Sequence, residues 1–412
     1  MLAEQSRLLA EELGKLKGSV MKVGQLLALY GEHFLLPPEV VSALRTLQDD
    51  STPVEWPPLL SVLERELEAD RLAELEIDPS PLAAASLGQV HRARRRRDGR
   101  ELCIKIQYPG VAESIDSDLN AVGTLLLFSR LLPTGFNLGE MMAEIRNMLH
   151  REVDYTVELE TMQGFHQLLK KDRRFRIPQV FPEYSTRCVL TSSYEPGFTV
   201  ESQEVQNLSQ ERRNRLSAAA LELFLREFFR WNLMQTDPHF GNYRIRLGAG
   251  EAGQDQLVLL DFGAVRQFPL AFLGAYHDLV RGAFWKDRLR LCKAAVDLQF
   301  MPADAPPEVL DRFAALCFQI VEPFAEPDPN GPATPFINAN GEYRWGASDL
   351  PQRVALASSK ASLSFSFRVP PKEFVFLHRK LGGVFVFLAK LHAELNARPL
   401  LLRYLGKSSG QR

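Results

Sequence analysis

Cysteine is scarce in this chain. Cys103, Cys188, Cys292 and Cys317 are the only four in 412 residues, and they lie too far apart for a CxxC pair or a disulfide framework, a pattern that fits a reducing compartment. An excess of one charge is missing too. Forty-nine basic residues against 51 acidic ones leave no basic field for nucleic acid and no acidic tail. No run reaches the roughly 18 apolar residues of a spanning helix, and the N-terminal "MLAEQSRLLAEELGKLKGSV" is too charged for a signal-peptide core. These absences predict a cytoplasmic chain with neither signal peptide nor transmembrane helix. Its 45% of hydrophobic residues suffices for a sizeable core, and its length suggests two or three domains.

Helical spacing of apolar residues runs from Leu8 to about Gln48, broken at Pro37-Pro38, and resumes in "PVEWPPLLSVLERELEAD" with two prolines in the first turn. The stretch "SPLAAASLGQVHRARRRRDGRELCIKIQY" reads differently, as two strands joined at Asp98-Gly99, a dipeptide suited to a tight hairpin. Residues 112 to 170 return to helical periodicity. The proline-punctuated "FRIPQVFPEYSTRCVLTSSYEPGF" is strand-like, and after Leu208 only "LVLLDFG" interrupts a helical half. Residues 322 to 341 read as a long surface loop and "GKSSGQR" as a frayed tail. A strand-rich part followed by a helix-rich part predicts an α+β chain of two lobes.

The chemistry lies in two stretches of the second half. "QTDPHFGN" sets Asp237 five positions before Asn242, and "LVLLDFGAV" ends an apolar strand in Asp261-Phe262-Gly263. Phosphoryl transfer from a nucleotide needs cations on the phosphates, oxygen ligands on Mg²⁺ and a group to orient the nucleophile. Asn242 and Asp261 supply hard oxygens for the metal, while Asp237 can take the proton of an acceptor hydroxyl. A DFG tripeptide alone is more often a strand entering a glycine turn; the upstream D-x-x-x-x-N changes that balance. Lys105 alternates with Ile104 and Ile106 on a strand, so it points away from the apolar face and can reach phosphate oxygens. On its own it would be an ordinary solvated strand lysine. A carboxylate to hold it should come from "HREVDYTVELE", read as one helix in which Asp154 and Glu158 share a face at i, i+4, and Glu158 is the chosen partner.

Two features depart from an ordinary protein kinase. Where G-x-G-x-x-G should cover the phosphates, the chain has Ala83, Ala84, Ala85 and Ser86 before a single Gly88, and the alanine Cβ atoms bar the close backbone approach that glycine permits. After the DFG, "AVRQFPLAFLGAY" offers no Ser or Thr before Tyr276, and no A-P-E follows. Regulation by phosphorylation of that segment is not expected.

These residues resemble the AarF/UbiB family of atypical protein-kinase-like proteins, which support coenzyme Q (ubiquinone) biosynthesis. The likeness rests on "MKVGQ" at 21 to 25, "AAAS" at 83 to 86, "IKIQYPGV", "EVDYTVE", "QTDPHFGN", "LLDFGA" and "FLHRKLGG" at 376 to 383. It implies a protein-kinase-like fold in which a helical extension (1–78) bearing K-x-G-Q lies over the active site. An N-lobe with inserted helices (79–197), a helical C-lobe (198–405) and a tail (406–412) follow. It implies ATP and Mg²⁺ as cofactors, with Lys105 and Glu158 on the nucleotide, the 83–86 loop altering nucleotide selectivity, Asp237 as catalytic base, and Asn242 and Asp261 on the metal. Lys22 and Gln25 would occlude the site, Lys22 meeting Glu152 and Asp154. Further partners implied are isoprenoid-quinone precursors, quinone-biosynthesis enzymes and the surface of the inner membrane. From its apolar run, the stretch 374–391 is expected to contribute a lipid-facing surface, although core packing is the commoner reason for such a run. Two other readings remain open: a protein kinase acting on another protein, and a non-catalytic nucleotide- or lipid-binding scaffold.

Overall fold

The computed structural model describes residues 53–85, 87–129, 137–248, 250, 253–326, 335–338, 340–354 and 372–406. The helical prefix with Lys22 and Gln25, the loop residue Ser86 and the C-terminal tail lie outside them. The chain divides into two compact units, Met1–Lys170 with Ile177–Glu195, and Lys171–Arg176 with Pro196–Arg412.

In the first unit, helix α1 (Trp56–Glu66) starts on Pro57 and Pro58, whose missing N–H groups would have no intrahelical partner in that turn anyway. It buries Leu59, Val62 and Leu63, one apolar face at helical spacing, and a short helix α2 (Ala69–Ala73) follows. The antiparallel sheet beyond it has the order β1–β2–β3–β5, with β1 at Leu75–Ala84, β2 at Gly88–Arg95, β3 at Glu101–Gln107 and β5 at Val189–Ser193. Asp98 and Gly99 make the β2–β3 turn, Gly99 at a φ of +69° that a side chain would strain. Along β3, Leu102, Ile104 and Ile106 are fully buried and pack with α1, Phe181, Tyr184 and Val189 in one core. Each such side chain contributes about 1.5–3 kcal/mol on leaving water.

Strand β1 was not legible in the sequence because "LEIDPSPLAA" carries two prolines. It is an edge strand whose pairing with β2 slips between Ile77, Pro81 and Ala83, and an edge or a bulge is where a sheet accepts proline. Residues 112 to 170 also differ from a continuous helical stretch. Helices α3 (Val111–Ser129), α4 (Leu138–Glu152) and α5 (Tyr155–Leu169) are separate, so "HREVDYTVELE" is not one helix. Asp154 is the N-cap of α5 and its carboxylate accepts from the Thr156 N–H, the local bond by which aspartate starts a helix rather than continuing one. The single helix on which Asp154 and Glu158 were expected to share a face is therefore interrupted at Asp154.

The second unit is built on α7 (Gln210–Arg226), capped by Ser209 and preceded by the short α6 (Gln203–Gln206). It carries more strands than the one expected. β8 (Gln256–Leu259) lies between β4 (Phe175–Arg176), to which it runs parallel, and antiparallel β7 (Tyr243–Arg246). β6 (Met234–Gln235) pairs with β9 (Val265–Arg266), and β10 (Tyr343–Arg344) with β11 (Glu394–Leu395). These partners are too short for a period-two pattern to show. Helices α8 (Leu270–Phe284), α9 (Arg288–Asp297), α10 (Pro307–Ile320), α11 (Lys372–Lys390) and α12 (Arg398–Leu405) also belong to the unit. On α11, Phe376, Leu377, Val384, Phe387 and Leu388 are buried; the stretch read as lipid-facing or core puts these side chains in the core. Among the described residues no helix is long and apolar enough to cross a membrane.

Candidate functional site

Each unit holds one group of the residues singled out in the sequence. In the first, β3 turns Lys105 away from the core and α5 presents Glu158, and the Lys105 ammonium donates to Glu158 Oε2 at 2.7 Å. The glutamate side chain is 5% exposed and the lysine 20%, so the amine keeps a path to water while its partner does not. Tyr155 lies beneath, its ring centroid 4.8 Å from the ammonium, near enough for a cation–π contribution. Sequence reasoning missed Tyr155 because a buried helical aromatic reads as core. The available signal was its place three residues before Glu158, on the same helical face.

Two contacts fix that geometry. The Gln107 side chain, buried at the end of β3, donates to the carbonyls of Val153 and Arg187, tying the strand to the junction between α4 and α5. Gly88 permits a close approach: a Cβ there would fall 2.4 Å from the Ile106 carbonyl oxygen and 2.8 Å from the Tyr155 hydroxyl. The one glycine of the loop thus serves packing between strands. Ala83 and Ala84 end β1 opposite Val90 and Gln89, and Ala85 N–H donates to the Gly88 carbonyl at 2.8 Å. Glu152 closes α4, and Asp154 meets Arg187 at 3.5 Å.

In the second unit, Asn242 Nδ2 donates to Asp237 Oδ2 at 3.1 Å, and the Arg379 guanidinium meets Asp237 Oδ1 at 3.1 Å. His239 caps a short 3₁₀ turn by accepting from Gly241 N–H at 3.0 Å, a local role. The loop is pinned at both ends. Thr236 N–H and hydroxyl both donate to the Ala264 carbonyl, at 2.9 and 2.8 Å, and Leu260 N–H donates to the Asn242 carbonyl at 2.9 Å. The Asp237 loop is therefore stitched to the strand that delivers Asp261 and to the residues just beyond it. Asp261 Oδ1 accepts from Gly263 N–H at 2.9 Å, which orients its carboxylate. Helix α8 starts at Leu270, so residues 264 to 269 are all that separates it from the DFG.

The donor set suits Mg²⁺. Asn242 turns its amide nitrogen to Asp237, which leaves its side-chain carbonyl oxygen, a hard donor, for a metal, and its main chain is bonded to Leu260, the residue before Asp261. Among the described residues no cluster of three or more His, Cys, Asp or Glu could form a metal cage. Mg²⁺ does not ask for one, since it takes one or two protein oxygens and completes its shell with water and substrate phosphates.

Beneath this loop is a sealed ionic group. Helix α7 runs into a π-helical turn, Glu227–Trp231, that ends at Asn232 in the left-handed region; such turns are rare and concentrate at functional sites. Asn232 exchanges side-chain hydrogen bonds with the backbone of Phe268, both at 2.9 Å. Lys380 of α11 lies 3.5 Å from Glu227 Oε2 and donates to the Tyr243 hydroxyl at 3.0 Å. Burial opposes the charge on Lys380, but the Glu227 carboxylate and Tyr243 outweigh it and hold the ammonium above the ordinary lysine range.

A model of the ABC1 atypical kinase-like domain matches residues 46–295. The rat protein "Atypical kinase COQ8B, mitochondrial" is 34% identical over 395 residues, covering 95% of this chain and 70% of that protein. The Schizosaccharomyces pombe protein "Atypical kinase COQ8, mitochondrial" is 33% identical, with 95% of this chain aligned to 61% of the relative. Among solved structures, Mycobacterium tuberculosis Rv3197 in complex with erythromycin superposes with a TM-score of 0.64 at 23% identity, over 95% of this chain and 93% of that one. That likeness speaks to the fold alone, which is kinase-like. With the family model spanning more than half its length, the chain belongs to the ABC1 atypical kinase-like family.

Proposed function

We propose that this protein is an ATP- and Mg²⁺-dependent atypical kinase or ATPase that supports coenzyme Q biosynthesis, acting on or beside lipid precursors at a membrane surface. The observation that carries the reading is the Asp237–Asn242 hydrogen bond on a loop stitched to the Asp261 strand, which the reading takes as a base and two metal oxygens on one support. Bound MgATP supplies a transferable phosphoryl group whose charge the metal neutralises. Lys105 holds phosphate oxygens, and Glu158 keeps its ammonium extended and charged. Asn242 and Asp261 hold the metal, and Asp237 accepts the proton of the attacking hydroxyl or water. The alanine-rich turn at 83–86 sets nucleotide preference, and Lys22 and Gln25 limit access, Lys22 through Glu152 and Asp154.

The brevity of the segment 264–269 supports this reading over that of a protein kinase switched by phosphorylation of an activation loop. The test compares substrate-free ATP hydrolysis, with and without phospholipid vesicles, against phosphate incorporation into candidate proteins. Hydrolysis that rises with vesicles and disappears in Asp261→Asn is the expected result. Phosphate transfer to protein without lipid-dependent hydrolysis would favour the trans-kinase reading, and absence of both would leave a scaffold. Loss of quinone from cells lacking the protein, restored by the wild type and not by Lys105→Met, is the expected cellular outcome.

A further inference from the structure

The stretch "HRKLGG" on α11 has no part in the chemistry assigned above, yet three of its residues engage the Asp237 loop. Arg379 meets Asp237 Oδ1. Lys380 holds Tyr243, the residue after Asn242, through its hydroxyl. Gly383 packs against Pro238 so closely that a Cβ there would fall 2.1 Å from the proline Cβ. Lys380, Gly383, Pro238 and Tyr243 also line one apolar cavity with Phe224 and Phe387. Positions 379, 383 and 380 of one helix thus touch the loop at its aspartate, at the proline after it and at the tyrosine beyond Asn242.

We propose that Arg379 is a positioning residue for Asp237, holding the carboxylate in the one orientation that also fixes Asn242. Asp237 Oδ2 accepts from Asn242 and Oδ1 accepts from Arg379, so a donor on each oxygen defines the carboxylate plane. With Arg379 removed, a single bond remains about which the carboxylate can turn. The Asn242 amide then keeps only its longer bond to the Asp237 main-chain carbonyl, at 3.4 Å, and its own carbonyl oxygen is less firmly directed. Lys380 and Gly383 hold the loop itself, whereas Arg379 orients a side chain on it. Arginine suits the task, because a planar guanidinium fixes direction where an ammonium supplies only charge.

The assignment rests on the proposed ATP-dependent activity, and the experiment separates the two. Arg379→Gln, Arg379→Lys, Asp237→Asn and the Arg379→Gln/Asp237→Asn double variant are compared for ATP turnover, for binding of trinitrophenyl-ATP and for melting temperature. A misplaced reacting group costs up to about 10²-fold, so Arg379→Gln should lower kcat by roughly 10- to 100-fold while nucleotide affinity and melting stay near wild type. Arg379→Lys should recover part of the loss. In the Asp237→Asn background the Arg379 change should add nothing, since residues that act as a unit do not add. Equal losses in both backgrounds, or a parallel loss of nucleotide affinity, would overturn the assignment. Wild-type protein without turnover would overturn the activity reading and this one together; turnover that Arg379→Gln leaves intact would overturn this one alone.

Discussion

Each unit contains a lysine–glutamate pair, and the two pairs differ in almost everything except their chemistry. Lys105 and Glu158 are 20% and 5% exposed with the charges in contact at 2.7 Å. Lys380 and Glu227 are 3% and 1% exposed and stand 3.5 Å apart, with a tyrosine hydroxyl as the closer partner of the amine. A sealed pair has no water to fall back on, so losing one member strands the other. An ajar pair can exchange its partner for a ligand. The same residue types therefore serve architecture in one unit and are available for chemistry in the other, with solvent access as the deciding variable.

That contrast is open to experiment, and the largest effect should come from the sealed pair. Burial raises the Glu227 carboxyl to about 7 even beside Lys380, so replacing Lys380 with Met makes the acid take up a proton and lose its partner, and removing one partner of a buried pair costs about 3–5 kcal/mol. Urea unfolding of Lys380→Met should show it, and a loss below about 1 kcal/mol would break the comparison. Lys105→Met should behave in the opposite sense. Stability should fall by less than in Lys380→Met, because the 20%-exposed lysine end gives water an entry toward the buried Glu158, whereas ATP turnover should fall by about 10²–10³-fold, the usual cost of a missing charge-stabilising donor.

An intermediate case sits at Asp172, which bonds Arg174 and Arg226 at 2.7 Å while both arginines also bond Glu222. Burial pushes the Asp172 carboxyl up, but the bonds to Arg174 and Arg226 outweigh it and hold it at about 2, below the ordinary 3.8. The folded state favours the ionised form, so the stabilisation is complete above pH 3.8 and is lost as pH falls through about 2. The shift corresponds to roughly 2 kcal/mol. Asp172→Asn should flatten the dependence of the unfolding midpoint on pH in that window, and an unchanged slope would remove this case from the series. At the open end, Arg92 and Glu101 pair at 2.8 Å with both side chains about half exposed. Arg92→Ala should cost less than about 1 kcal/mol, and that should shrink in high salt.

How much of this was legible in the sequence depended on whether a residue announces itself by chemistry or by packing. Asp237, Asn242, Asp261 and Lys105 stood out because their spacing matches a phosphoryl-transfer set, and the alternation of Ile104 and Ile106 placed Lys105 on the correct side of its strand. The Asp98-Gly99 turn was equally plain, since one dipeptide encodes it. Strand β1 was hidden by prolines that only its edge position tolerates. Strands β6, β7 and β9 were hidden by shortness, and β6 and β9 also by a pairing that joins residues some 30 positions apart. The break between Glu152 and Asp154 was missed because carboxylates score alike on a helical wheel, whether they continue a helix or cap one. Arg379 and Lys380 lay in a recognised motif, yet nothing local links them to a loop some 140 positions earlier.

The widened turn at Glu227–Trp231 carries a constraint on how this chain can vary. Each helical residue contributes about 100° of rotation. Excising one there would swing the acid off its amine or pull Met234 out of step with Arg266. Substitution on the outer side of that turn is open to drift, but a change in its residue number is not, so relatives that share the loop should keep the count of positions between the acid and the aspartate even where the letters between them differ.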